Sequence, residues 1–292
     1  MSEPPGDRWQ LRCPWPVLWR PDGVLQLGLE RPAGLLLGRL PRAAGGVVEA
    51  LHQPCPDQRL WRLAGPAATD WLPGLLGTLR RAGLLRPARP GSGQVALIGS
   101  GRLTLLIAQL FLASAEGHLR VIWPGSSAPP DALAGMQRRH PGRVGFGGHL
   151  DAGAAGADLA VIVAQAPEPD RSVVRQAGDR PHLVVRGSDL GVSVGPLVVP
   201  GRTACLRCED LHRTDRDPAW PRLLVQLSRP RLRAPRPARE HWAAGAAALH
   251  VAGWLAGELP DSLGAALELD AGGALRVRAL RPHPGCGCGA TS

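Results

Sequence analysis

Two cysteine pairs stand far apart in the chain, Cys205-Leu206-Arg207-Cys208 and Cys286-Gly287-Cys288. A C-x-x-C and a C-x-C in one sequence can supply the four thiolates of a tetrahedral zinc site, with Cys205, Cys208, Cys286 and Cys288 as ligands. A structural Zn2+ held this way would tie residue 286 back to residue 205. It would contribute roughly 10–16 kcal/mol of apparent binding energy near neutral pH, comparable to the net stability of a whole domain. The alternative is two disulfides or four idle buried thiols. Nothing else in the sequence suggests an oxidising compartment, so zinc is the reading carried forward.

A second stretch with chemical potential is Gly99-Ser100-Gly101-Arg102-Leu103-Thr104. It follows the apolar run Gln94 to Ile98 and leads into an apolar helix that reaches Ala115. Strand, glycine turn and helix in this order form the βα unit of nucleotide-binding domains. Gly99 would allow the tight turn, Gly101 would let a phosphate approach the helix N-terminus, and Arg102 could contact the anion. The third glycine of the usual fingerprint is replaced by Thr104, and the next strand, Leu119 to Trp123, ends at Pro124-Gly125 with no carboxylate to hold a ribose. The remaining cysteines, Cys13 and Cys55, read as packing residues rather than nucleophiles. His212, Asp215 and Asp217 could form a second metal site or an acid/base group. With Arg213 and Arg216 interleaved among them, a salt-bridged loop is the preferred reading.

These residues need elements to position them. Near the start, Val17 to Arg20 and Val24 to Leu29 flank Pro21-Asp22-Gly23, a hairpin pattern, and Leu35 to Leu37 offers a third strand. Pro41 suits a first helical turn ahead of Val47, Val48 and Leu51, a short segment surrounds Leu60, and Asp70 can cap a helix whose Leu72, Leu75, Leu76 and Leu79 share a face. Residues 1–88 therefore read as a small winged-helix-like α+β domain, and Pro87 to Gly93 as a linker. From residue 94 onward, strands at 94–98, 119–123, 158–163 and 182–185 alternate with helices, which gives a Rossmann-like α/β domain over 94–292. An Ala-rich helix runs from His241 to Gly257, and Leu267 and Leu269 pair across Gly272-Gly273 with Leu275 and Val277.

Composition narrows the function classes. The chain has 292 residues, with 44% hydrophobic and 20% charged residues, which is the profile of a folded protein. The formal net charge is +10, yet the sequence has no Lys, Asn or Tyr and abounds in Arg, Ala, Gly and Pro. Those absences mark a GC-rich genome, so the arginine excess describes a dispersed basic surface rather than a nucleic-acid site. Residues 1–90 carry twelve Arg against seven acids, but no helix concentrates Arg and polar residues as a recognition helix would. Capture of an extended peptide on the edge of the small sheet is the other use of such a domain, and plain docking the third. No signal peptide and no apolar run of membrane-spanning length is present, so a cytoplasmic protein is expected.

The run from Gly191 to Cys208, a glycine, an extended strand, Pro200-Gly201 and then C-x-x-C, resembles the approach to the first zinc pair in the ThiF family, the relatives of ubiquitin-activating enzymes with the MoeB/ThiF fold. The Ala-rich helix, the hairpin around Gly272-Gly273 and the closing His283-Pro284-Gly285-Cys286-Gly287-Cys288 are similar as well. The resemblance covers residues 94–292 and is carried by the cysteines rather than by the glycine turn. With the first domain added, the whole chain resembles ThiF-type proteins that accompany cyclodehydratases of ribosomally made peptides, and Asp210 to Pro221 resembles a stretch of their actinobacterial members. The resemblance implies leader-peptide binding through the winged helix, presentation to an ATP-using YcaO-type partner that makes thiazole- or oxazole-type modifications, and a homodimer.

It also implies what adenylation would need: an acidic residue after the second strand, a nearby Arg, a Lys, and an Asp after the fourth strand to handle magnesium. Here Val163 is followed by Ala164-Gln165-Ala166-Pro167, and there is no Lys. Little is left to neutralise the transferring phosphates, although Glu168 and Asp170 lie close enough to substitute. The sequence thus describes a zinc-stabilised, catalytically degenerate scaffold. Its rival is an active ATP/Mg2+-dependent adenylyltransferase acting on the C-terminus of a peptide or of a ubiquitin-like sulfur carrier.

Overall fold

The computed structural model describes residues 8–12, 15–29, 34–87, 93–115, 117–123, 131–147, 156–189, 191–229 and 235–290. Cys13, Pro124-Gly125 and most of the expected linker lie outside these residues. The chain divides into two compact units, Met1–Arg89 and Pro90–Ser292.

The first unit contains β1 (Arg8–Leu11), β2 (Val17–Trp19), β3 (Val24–Leu27), β4 (Leu35–Arg39), α1 (Ala43–Ala50), β5 (Cys55–Pro56), α2 (Asp57–Ala64), α3 (Ala68–Arg81) and β6 (Leu85–Pro87). The hairpin pairs Val17 with Leu27 and Trp19 with Leu25, and β4 joins it to give the sheet order β2-β3-β4. A second sheet, β5-β1-β6, has no counterpart in the sequence reading. Its strands are two to four residues long, too short for an alternating pattern to register. Helix α3 starts at Ala68, so Asp70 is not its cap but lies in the first turn, where its charge meets the positive end of the helix dipole. Leu25, Leu27, Val47, Val48, Leu51, Leu60, Leu72, Leu75 and Leu79 close the core between these elements.

The second unit contains β7 (Gln94–Ile98), α4 (Gly101–Ser114), β8 (His118–Ile122), α5 (Asp131–Arg139), β9 (Val144–Gly147), β10 (Leu159–Val163), α6 (Arg171–Gln176), β11 (His182–Ser188), β12 (Gly191–Val198), α7 (Leu206–Arg216), α8 (Trp220–Leu227), α9 (Pro237–Leu255), β13 (Ala265–Asp270) and β14 (Leu275–Ala279). Its eight-stranded sheet has the order β14-β13-β12-β11-β10-β7-β8-β9. The five strands from β9 to β11 are parallel, and β12, β13 and β14 are added antiparallel. The strand order reverses between β7 and β10, which is the switch point where open α/β sheets place their ligands. The glycine turn after β7 and the loop after β10 flank that point.

The two faces of the sheet differ in chemistry. On one, Val95, Leu97, Val161, Leu183, Val185 and Val194 pack with α4 and with the Ala243, Ala244, Ala247 and Val251 stripe of α9. Small alanines let α9 lie close to α4 and over β11 and β12. The other face is apolar only at its centre, where Ala96, Ile98, Ile122, Ala160 and Ile162 meet α6. Beyond β10 it turns polar. Arg186, Ser193, Glu268 and Arg276 are register partners across β11, β12, β13 and β14, so they form one row on one face.

Candidate functional site

Helix α7 and the segment after β14 bring the four cysteines together. Cys205 occupies the N-cap position of α7 and Cys208 its first turn. The Sγ atoms of Cys205 and Cys286 are 3.5 Å apart, those of Cys208 and Cys288 3.5 Å, and those of Cys205 and Cys208 3.9 Å. All four lie within 4.8 Å of one another. A disulfide needs sulfurs about 2.05 Å apart, so these are free thiols. A tetrahedron with 2.3 Å metal–sulfur bonds has edges of about 3.8 Å, and the cluster matches it, so the four could hold a metal ion. Burial pushes the Cys205 and Cys286 thiols up, and neighbouring thiols raise Cys286 further. Burial also acts upward on Cys288, but the Ala290 backbone and the adjacent thiols outweigh it and bring it to about 7. Four thiolates side by side repel one another unless a cation sits between them.

The cluster of His212, Asp215 and Asp217, expected to lie in a salt-bridged loop, is helical as far as Arg216, where α7 ends; α8 begins at Trp220. His212 and Asp215 therefore lie on successive turns of the helix that carries Cys208. His283 Nδ1 accepts the Gly285 N–H at 3.0 Å, which leaves Nε2 to donate to Asp215 Oδ2 at 2.8 Å. His212 Nε2 donates to the Pro282 carbonyl at 3.3 Å, and the two imidazoles meet edge to face, 4.7 Å between centroids. Ligating atoms of His212, Asp215 and His283 also lie within 4.8 Å of one another. Asp217 is not part of this group; it accepts the Ala219 N–H ahead of α8.

The polar sheet row feeds a buried ion network. Arg186 reaches Glu168 Oε2 through Nε and Glu209 Oε2 through Nη2, both at 3.2 Å. Glu168 also takes Arg171 and Arg213 at 3.1 Å, and Glu209 takes Arg213 at 2.7 Å and Arg278 at 2.8 Å. Arg171 continues to Asp210 at 2.8 Å, and Arg278 to Glu268 at 2.7 Å. Trp220 donates to Asp210, and the Arg213 guanidinium lies 4.4 Å over the Trp220 ring. Burial works against an ionised Glu209, but Arg186, Arg213 and Arg278 outweigh it and hold its carboxyl below the usual range. Glu168 is thus fully engaged by guanidinium groups, and Asp170 caps α6 by accepting the Ser172 N–H at 2.7 Å. Both of the carboxylates that the sequence offered as substitutes therefore have partners within the chain.

At the glycine turn, Gly99 has φ +152° and a Cβ there would stand 2.8 Å from Val163 Cβ, so glycine lets β7 and β10 approach. Gly101, at φ +85°, adopts a backbone that other residues avoid. Thr104, in place of the third glycine, is buried and donates back to Ser100 O at 2.9 Å. Ser100 Oγ bonds Gln165 Oε1 at 2.6 Å across the switch point. Arg102 Nε lies 3.5 Å from the buried carboxylate of Glu240 at the start of α9. The turn's cation is therefore paired with a side chain of this chain. Cys55 is sealed in the first unit's core, where burial pushes its thiol up, away from nucleophilic use. Sequence reasoning missed Glu240 and the Arg186 network because their partners come from elements 18 to 138 residues away.

Two outcomes follow from this geometry. Arg186→Met should destabilise the second unit by about 3–5 kcal/mol in urea unfolding, because two carboxylates stay buried with fewer counter-charges. His283→Ala should weaken metal retention by about 10–100-fold in a chelator competition, because the segment carrying Cys286 and Cys288 loses its tether to α7.

No family model and no curated protein sequence matches the chain. Solved structures do. A heterocyclase in complex with substrate and cofactor matches 97% of the chain at a TM-score of 0.61 and 16% identity. E. coli MccB with AMPCPP and MccA matches 97% at 0.57 and 12% identity, and the match spans 100% of that protein. The heterocyclase TruD matches 97% at 0.53 and 15% identity. The chain spans 40% and 43% of the length of the two heterocyclases. At these identities the likeness speaks for the fold: the chain has a mixed α/β architecture around a central sheet, similar to that of MccB and to part of each heterocyclase.

Proposed function

We propose that this protein is a zinc-binding, ThiF-like scaffold that captures a precursor peptide and presents it to a modifying enzyme, in the cytoplasm, without activating the peptide itself. The observation that carries this reading is the pairing of Arg102 with Glu240. A phosphate approaching the α4 N-terminus would have to displace an internal carboxylate. The charges that adenylation needs are otherwise missing, since Gln165 stands after β10 and Glu168 lies under three guanidinium groups. The four thiols, in contrast, keep the spacing of a tetrathiolate zinc site. The likeness to heterocyclases solved with substrate, and to MccB solved with the peptide MccA, supports a peptide as the bound partner.

The first unit supplies a place to hold that peptide in a winged-helix-like manner. Its β2-β3-β4 sheet ends in β4, whose Leu36 is 57% exposed, and a peptide strand could extend it. Alternate backbone groups of an edge strand face outward, so a proline at either Leu36 or Leu37 must remove an outward N–H. Of the two variants Leu36→Pro and Leu37→Pro, one should abolish binding of a partner leader peptide, measured by calorimetry. Unchanged affinity in both would reject strand addition.

The zinc assignment has its own test. Cys205→Ser or Cys286→Ser should lose the metal, measured by atomic emission, and lower the unfolding midpoint of the second unit. Full metal content in both would refute it. The second reading, an active adenylyltransferase, takes support from MccB being solved with AMPCPP. Titration of magnesium-ATP should give no heat up to about millimolar nucleotide, where Kd corresponds to only about 4 kcal/mol of binding. Micromolar binding with pyrophosphate exchange would establish the enzyme instead.

A further inference from the structure

A cavity of about 440 Å3 lies between α7 and the end of β14. That is within the range of about 300–1,000 Å3 typical of ligand sites. Arg213 and Arg216 of the helix and Arg278 and Arg281 of the strand end line it, together with Glu209 and Asp215. Four guanidinium groups thus face two carboxylates, and both carboxylates are already committed. Glu209 is buried under Arg186, Arg213 and Arg278, and Asp215 accepts from His283. Arg216 spends its Nε on the His212 carbonyl, and among the described residues neither Arg216 nor Arg281 has a carboxylate partner. Four guanidinium groups against two carboxylates leave the cleft with an excess of positive charge, and a concave wall concentrates that field, so it attracts an anion more strongly than the same groups would on a flat surface.

The strand beside the cleft says what shape the anion has. β14 is the outermost strand of the sheet. Its side chains alternate: Arg276 and Arg278 point to the face where Arg278 meets Glu209, while Leu275 and Val277, 54% and 61% exposed, point to the other. A strand laid along it would therefore need acidic residues on the α7 side and apolar residues opposite. We propose that the open edge of β14 and the arginine cleft form one binding site for an extended peptide segment of a partner in which acidic and apolar residues alternate. The acidic side chains enter the cleft against Arg216 and Arg281, and the apolar ones cover Leu275 and Val277. This site is separate from the β4 edge. It goes beyond the scaffold reading, and its failure is distinguishable from the failure of that reading because Leu36→Pro and Leu37→Pro leave it untouched.

The test uses the full chain and two fluorescein-labelled octapeptides, one of alternating Glu and Val and one with the same residues in two blocks, followed by fluorescence anisotropy. The alternating peptide should bind, and Arg216→Gln/Arg281→Gln should weaken it by about tenfold, the loss of roughly one charge-assisted contact. Arg138→Gln/Arg139→Gln on α5 removes the same charge from another exposed surface and should leave affinity within about twofold, as expected of distant screened charges. Equal losses in the two variants would reduce the effect to the net charge of the protein and overturn the site. So would equal binding of the block peptide, or binding of inorganic phosphate in the absence of any peptide binding.

Discussion

Two carboxylates lie beneath one face of the central sheet, and the second unit is arranged to keep them ionised. Glu168 and Glu209 share Arg186 between them, with Arg171, Arg213 and Arg278 closing the remaining sides. A charge removed from water costs several kcal/mol unless its partners are fixed in advance. The partners here come from β11, the approach to α6, α7 and β14, so those elements must all be in register before the network is satisfied. The polar row Arg186–Ser193–Glu268–Arg276 is the surface on which this happens. It explains why the sheet is apolar on both faces only as far as β10, while the alanines of α9 cover β11 and β12 on the other face alone.

The same network fixes α7, and α7 carries half of the thiol cluster. The glycine turn is held by contacts of its own. At the turn, Gln165 bonds Ser100 and Glu240 pairs with Arg102. At the cluster, four thiols stand at separations that would suit a metal ion.

Much of this was legible in the sequence wherever a short local pattern decides the outcome. The apolar strand at 94–98, the glycine turn, the hairpin around Asp22-Gly23 and the pairing of Leu267 and Leu269 with Val277 and Leu275 are all local. The four cysteines were legible through their spacing. What the sequence hid was either too short to carry a period, as in β1, β5 and β6, or decided at a distance. The His212, Asp215 and Asp217 cluster reads as a salt-bridged loop because Arg213 and Arg216 interleave with it; as far as Arg216 it is helix, with Arg213 paired to Glu168 from outside and to Glu209 one turn earlier in the same helix. Glu240 looks like an ordinary first-turn helix acid until Arg102 is brought to it.

The thiol cluster joins residues 81 apart in sequence, with β13, β14 and the whole of α9 between its halves. Closing a loop of that length carries a large entropic cost that only completed contacts can offset. Its two halves therefore meet after the sheet has formed rather than before, and any metal that the cluster holds would be bound at the last step of folding. A chain arrested before that step would hold a native-like sheet and exposed thiols, the species most open to oxidation.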